Sequence, residues 1–210
     1  MKISVSYLSS NYSKEKTIAK IEASAADYIH VDLMDGGFVP HKNFTISEVL
    51  ILLKRHEKPL DIHLMTFDPI KYIADLAQLK PEYITFHIEA TKDIVATIEE
   101  IKKYNIKAGL AIKPDTDILE LVPFLDFIDL VLIMSVTPGA GGQEFIKDSC
   151  ARLKSLEKIR KDNNENFLIS MDGGLNADTI KLVPTLDIAV SGSYICKNSD
   201  YNTQIASLKS

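Results

Sequence analysis

His30 and Asp32 stand two residues apart in the stretch Tyr28-Ile-His-Val-Asp-Leu-Met-Asp-Gly36. Read with period two, both fall on one face with Tyr28 and Met34, opposite Ile29, Val31 and Leu33. His63 takes an equivalent place in Leu60-Asp-Ile-His-Leu-Met65, as does Asp172 in Ser170-Met-Asp-Gly-Gly174. Two imidazoles and two carboxylates are a donor set for one divalent transition metal with open positions: zinc, iron, manganese or cobalt. Either histidine alone reads more readily as a core polar residue satisfied by hydrogen bonds than as a ligand. Four of them converging favour the metal.

Glycine clusters are the second chemical signal. Ser135-Val-Thr-Pro-Gly-Ala-Gly-Gly-Gln143, Asp172-Gly-Gly174 and Ser191-Gly-Ser193 each follow a strand-like run. Glycines let a backbone approach an anion closely, with bare N–H groups as donors. No P-loop lysine motif accompanies them, so the pattern points to a sugar phosphate rather than a nucleoside triphosphate. A phosphorylated substrate whose reacting carbonyl meets a cation has an acidic neighbouring C–H, and two carboxylates could remove and return that proton from opposite sides. The chemistry is inversion at a carbon beside a carbonyl.

Such residues must be positioned by a scaffold. Short apolar runs at 3–8, 28–34, 60–65, 83–89, 108–112, 130–136, 167–172 and 188–193 alternate with amphipathic stretches. Those lie near 14–25, 46–56, 69–79, 92–104, 117–124, 145–162, 176–183 and 200–208. Eight βα units in 210 residues predict an α/β fold, a closed (β/α)8 TIM barrel, with residues 1–210 as a single compact domain. The absence of G-x-G-x-x-G in the first loop removes support for a dinucleotide-binding sheet. Ser13 is a predicted N-cap, and Asp68-Pro69 a predicted cap with proline at the first helical position. The faces carrying Ser4 and Ser6, Asp61 and His63, Thr85, His87 and Glu89, and Ser170 and Asp172 should point into the barrel. The late members then reach its C-terminal mouth.

Composition narrows the partners. A net charge of -5 gives no basic footprint, which argues against nucleic acid. The most apolar region is broken by Pro123, Asp126 and Asp129 and predicts no membrane span. Two distant cysteines, Cys150 and Cys196, read as reduced thiols, and the expected location is cytoplasmic.

The order of motifs is more specific. His30-Val-Asp-Leu-Met-Asp-Gly36, Phe38-Val-Pro40, Leu60-Asp-Ile-His-Leu-Met65, Ile133-Met-Ser-Val136 and Pro138-Gly-Ala-Gly-Gly-Gln143 succeed one another, followed by Met171-Asp-Gly-Gly174 and Val190-Ser-Gly-Ser193. Together they resemble the ribulose-phosphate 3-epimerase family across nearly the whole chain. The resemblance implies a metal-dependent epimerase that interconverts D-ribulose 5-phosphate and D-xylulose 5-phosphate at C3 through a metal-stabilised enediolate. It implies Asp32 as proton acceptor and Asp172 as proton donor, with His30, Asp32, His63 and Asp172 around the metal. Ser6, His63, Gly139, Ala140, Gly141, Gly142, Gly173, Gly174, Gly192 and Ser193 would contact the sugar phosphate, with Met34, Met65 and Met134 near the reacting atoms. A homo-oligomer is expected.

The chain departs from the family pattern at His41-Lys-Asn43, where asparagine more often follows the proline directly, and at Ala140, where phenylalanine is usual. His87 and Glu89 read either as groups orienting the ligands or as an unrelated buried pair, and Asp35 as a carboxylate organising its loop. Alternatives are a hexulose-phosphate epimerase acting on a substrate such as D-allulose 6-phosphate, and a non-catalytic phosphate-binding barrel. A lyase of the orotidine-phosphate decarboxylase type would want a lysine near the end of the third strand, where this chain has Asp61-Ile-His-Leu-Met-Thr66.

Overall fold

A parallel strand with a polar and an apolar face needs cover on the apolar side, and the alternating helices supply it. The computed structural model describes residues 1–210. Strands β1 (Lys2–Ser6), β2 (Tyr28–Met34), β3 (Leu60–Met65), β4 (Tyr83–His87), β5 (Lys107–Ile112), β6 (Leu130–Met134), β7 (Leu168–Asp172) and β8 (Ile188–Ser191) form a closed parallel barrel in sequence order. Around it lie α1 (Lys14–Glu22), α2 (Ile46–Leu53), α3 (Ile70–Leu76), α4 (Ile94–Lys103), α5 (Ser149–Asp162), α6 (Ser193–Cys196) and α7 (Tyr201–Lys209). This is the (β/α)8 barrel that the alternation predicts.

The two faces of the strands separate as expected. Ile3, Val5, Ile29, Val31 and Leu33 join Ile18 and Ile21 of α1, Leu53 of α2 and Ile101 of α4 in one apolar layer outside the barrel. Each fully buried side chain of this kind contributes about 1.5–3 kcal/mol. Inside, Tyr28, Tyr83, Leu130 and Ile188 plug the N-terminal end, and the Lys2 ammonium donates to the Tyr28 hydroxyl at 2.7 Å. Buried polar side chains sit on top of this plug: Ser4, His30, Asp61, His63, Thr85 and Ser170.

Local signals set several helix starts. The Ser13 hydroxyl accepts from the Lys16 N–H, and Thr45 with Glu48 closes a reciprocal capping box at α2. Other predicted elements change character. Residues 117–124 do not form an α-helix; Ile118–Phe127 is a 3-10 stretch containing Pro123, which lacks the N–H an α-helix needs there. Residues 176–183 contribute just a 3-10 turn, Thr179–Leu182. Asp68 does not cap α3: its backbone is left-handed at φ 53°, Pro69 holds the cap position, and no side chain caps the helix. Strands β1, β4, β6 and β8 end two residues early because the chain turns into mouth loops, with a 3-10 turn at Ile88–Ala90 after β4. Helix α5 starts at Ser149, four residues later than predicted, because 135–148 is spent on a loop lining the mouth.

Candidate metal centre and substrate cleft

Register decides which polar residues meet. β2 and β3 pair His30 with Asp61 and Asp32 with His63, two steps along the same inner face. Asp172 ends β7 across the barrel, two strands from β1 through β8. One ligand atom from each of His30, Asp32, His63 and Asp172 can be chosen so that all lie within 4.8 Å of one another. His30 Nε2 is 3.3 Å and His63 Nδ1 3.2 Å from Asp32 Oδ1, and the same nitrogens are 4.0 and 3.9 Å from Asp172 Oδ2.

This arrangement fits a divalent cation. His30 Nε2 is buried with no hydrogen-bond partner, and such an orphan is expensive unless something binds it. Its other nitrogen is committed: Nδ1 lies 2.8 Å from Asp61 Oδ2, which also accepts from the Ser4 hydroxyl at 2.8 Å. That fixes the His30 tautomer with Nδ1–H on Asp61 and a bare Nε2 toward the cluster. Without an ion, burial opposes a proton on His30, but Asp32 and Asp61 outweigh it and raise its pKa well above the ordinary value. Burial also opposes charge on Asp32, yet His30 and His63 hold it far below the usual carboxylate range. Asp172 goes the other way: burial and then the Asp32 charge push it up to about 6. Two carboxylates with separated proton affinities at one centre are what an acid–base pair requires.

A cleft of about 500 Å³ opens over this cluster. Ser6, Asp32 and Asp172 reach it, and so do Met34, Met65 and Met134. Its far wall is built from Gly139, Ala140, Gly141, Gly142, Gly173, Gly174, Gly192 and Ser193. Gly173 and Gly174 have φ of +121° and +67°, and a Cβ on Gly174 would stand 2.6 Å from the Phe145 backbone nitrogen. The turn therefore needs glycine for both conformation and space. The loops are cross-tied: the Ser135 hydroxyl donates to Gly173 O at 2.6 Å, Thr179 to Gly174 O at 2.9 Å, and Ser191 to Leu175 O at 3.0 Å.

His63, expected against the substrate, does not line the cleft; it and His30 are buried beneath it. Ser6 donates to Asp32 Oδ2 at 2.6 Å, orienting that carboxylate. Asp35 accepts from the backbone of Gly37, Phe38 and Phe67 and so organises the mouth loop. In the departing loop, Asn43 accepts from Met34 N–H and donates to Asp32 O, both at 2.9 Å, which staples the loop to the end of β2. Sequence reasoning gives Asp61 no part in the site. Its signal is present, since it shares the inner face of β3 with His63, but its partner His30 is 31 positions away.

The model of the ribulose-phosphate 3 epimerase family matches residues 2–196. The chain belongs to the ribulose-phosphate 3-epimerase family. Among relatives, the ribulose-phosphate 3-epimerase of Mycobacterium leprae (strain TN) is 34% identical over 209 residues, covering 99% of this chain and 93% of that one. The enzyme of that name from Bacillus subtilis (strain 168) is 34% identical over 215 residues, covering 100% and 98%. Among solved structures, KGPDC from Streptococcus mutans superposes with a TM-score of 0.74 at 17% identity, covering 99% of this chain and 95% of that one. That likeness is one of fold. Family membership extends through all eight strands, so every ligand candidate lies inside the matched region.

Proposed function

We propose that this family member interconverts D-ribulose 5-phosphate and D-xylulose 5-phosphate by inversion at C3, with Asp32 and Asp172 as the two proton-transfer groups. The observation that carries the reading is the convergence of two buried imidazoles and two carboxylates at the floor of a glycine-walled cleft. His30, Asp32, His63 and Asp172 would hold the cation. A divalent ion there supplies fixed positive charge where an oxyanion develops.

The chain's own groups do the rest. Asp32, oriented by the Ser6 hydroxyl, removes the C3 proton from ribulose 5-phosphate; the C–H electron pair passes toward the C2 carbonyl and leaves an enediolate. Asp172 delivers a proton to C3 on the other side, and the two exchange roles in reverse. Met34, Met65 and Met134 give the planar intermediate a soft, polarisable wall. Backbone N–H groups around Gly141–Gly142, Gly173–Gly174 and Gly192–Ser193 hold the phosphate at the far end. The same reading treats residues 1–210 as one domain, supported by a barrel whose strands run from Lys2 to Ser191. Cytoplasmic location is supported by the free thiols of Cys150 and Cys196; no helix is long and apolar enough to cross a membrane.

The test is turnover of purified protein on D-ribulose 5-phosphate beside D-allulose 6-phosphate, before and after chelation and after adding back single divalent ions. Turnover of the pentose phosphate that falls with chelation and returns with an ion is expected. A chelator-stripped protein of undiminished activity, or no pentose turnover under any ion, would overturn the reading.

A further inference from the structure

The two candidate imidazole ligands are backed differently. His30 rests directly on the Asp61 carboxylate. His63 rests on a second imidazole: His63 Nε2 and His87 Nε2 are 2.9 Å apart, and both side chains are completely buried. His87 Nδ1 in turn lies 3.1 Å from Glu89 Oε2. Glu89 Oε1 accepts from the Lys113 N–H at 2.9 Å and from the Thr116 hydroxyl, in the loop that follows β5. The Phe38 ring lies against His87 with centroids 4.8 Å apart, and the Lys113 ammonium sits 4.0 Å above that ring.

Proton placement along this row follows from elementary valence. His63 faces the cluster with Nδ1, so binding an ion there requires a lone pair on Nδ1 and the proton on Nε2. The Nε2–H must donate, so His87 Nε2 must be bare. A neutral His87 then carries its proton on Nδ1, pointing at Glu89. A doubly protonated His87 would set two N–H groups against each other 2.9 Å apart.

We infer that His87 and Glu89 are positioning residues, a two-member relay that locks His63 in the tautomer able to ligate a divalent cation and anchors that ligand to the β5 loop. Partners that orient an imidazole ligand and fix its tautomer are worth about 10–100-fold in metal affinity where they have been removed from other proteins. The relay rests on the metal reading of the site. It gives a role to His87 at the end of β4 and to Glu89 in the 3-10 turn that follows, neither of which lines the cleft.

The test measures ion binding, not turnover. Apo protein is titrated with Zn²⁺ against a chromophoric chelator, and separately loaded with Co²⁺ for its visible ligand-field spectrum. His87→Leu removes the acceptor for the His63 N–H; His87→Gln offers a side-chain oxygen near the same place. Expected are a 10–100-fold loss of Zn²⁺ affinity and an altered Co²⁺ spectrum in His87→Leu, with most of the affinity recovered in His87→Gln and native circular dichroism in both. Imidazole ¹⁵N shifts of the Zn²⁺-loaded parent should show His87 neutral with its proton on Nδ1. Parent-like affinity in His87→Leu, equal losses in both variants, or a His87 proton on Nε2 would overturn the relay while leaving the metal site standing. Should the parent bind neither ion, metal reading and relay fall together; if His87→Leu does not fold, the ¹⁵N shifts and His87→Gln decide.

Discussion

Replacing Asp172 by asparagine separates the two halves of the proposed inversion. Asp172 Oδ2 stands 4.0 Å from His30 Nε2 and 3.9 Å from His63 Nδ1, beyond hydrogen-bond reach. Its side chain is 18% exposed at the cleft floor. The substitution keeps the shape, deletes no protein hydrogen bond and removes a carboxyl that burial, and then the Asp32 charge, push up to about 6. The ion-free variant should therefore melt at the parent's temperature or above it. The loss should be chemical: one positioned acid–base group is typically worth about 10²–10⁴-fold, roughly 3 to 5 kcal/mol on the barrier. Asp32, still held by Ser6 at 2.6 Å, remains able to take the C3 proton of ribulose 5-phosphate and put one back on the same side. In D₂O, followed by NMR, Asp172→Asn should wash deuterium into C3 of ribulose 5-phosphate while forming xylulose 5-phosphate at least about 10²-fold more slowly than the parent. Metal content, measured on the same sample, shows whether ion loss contributes. Inversion at a near-parent rate would refute the two-carboxylate reasoning, and exchange confined to xylulose 5-phosphate would show that the two faces are assigned the wrong way round.

Two further outcomes follow from particular residues. Glu89 is held down to about 2: burial raises it, but His87, Thr116 and the Lys113 N–H outweigh that. A depressed carboxylate contributes stability that is present above its unfolded pKa, near 4.5, and lost as pH falls toward the folded value; the drop to about 2 corresponds to about 3 kcal/mol. Denaturant melts of the parent should weaken between pH 4.5 and 2 more steeply than those of Glu89→Gln, and parallel curves would remove Glu89 as a cause. Gly174→Ala places a methyl 2.6 Å from the Phe145 nitrogen at a φ of +67°, a strain of about 1–3 kcal/mol. It should raise KM for the sugar phosphate about 10-fold or more, with less effect on kcat; an unchanged KM would separate this turn from phosphate binding.

Much of the molecule is legible in one dimension because the signals are local. Period-two faces distinguish inside from outside on a strand without knowledge of its neighbours. They put His30, Asp32, His63 and Asp172 on inner faces and place the glycine runs after strands six, seven and eight. Alternation of strand and helix then leaves few architectures, and the barrel is the one that forms. Ser13 can be read as a cap because its hydroxyl serves an N–H three residues on. Tertiary structure alone decides the rest, because side-chain periodicity does not determine register between strands 31 residues apart. Pairing His30 with Asp61, and Asp32 with His63, gives one imidazole a carboxylate behind it and leaves the other to lean on His87. The same register buries His63 below the cleft. Pro123 is visible in the sequence as a missing N–H, but that Ile118–Phe127 winds as a 3-10 stretch around it is seen only in the structure. Residue type and face announce the chemistry; closure of the barrel, a property of all eight strands at once, brings the donors within reach of one ion.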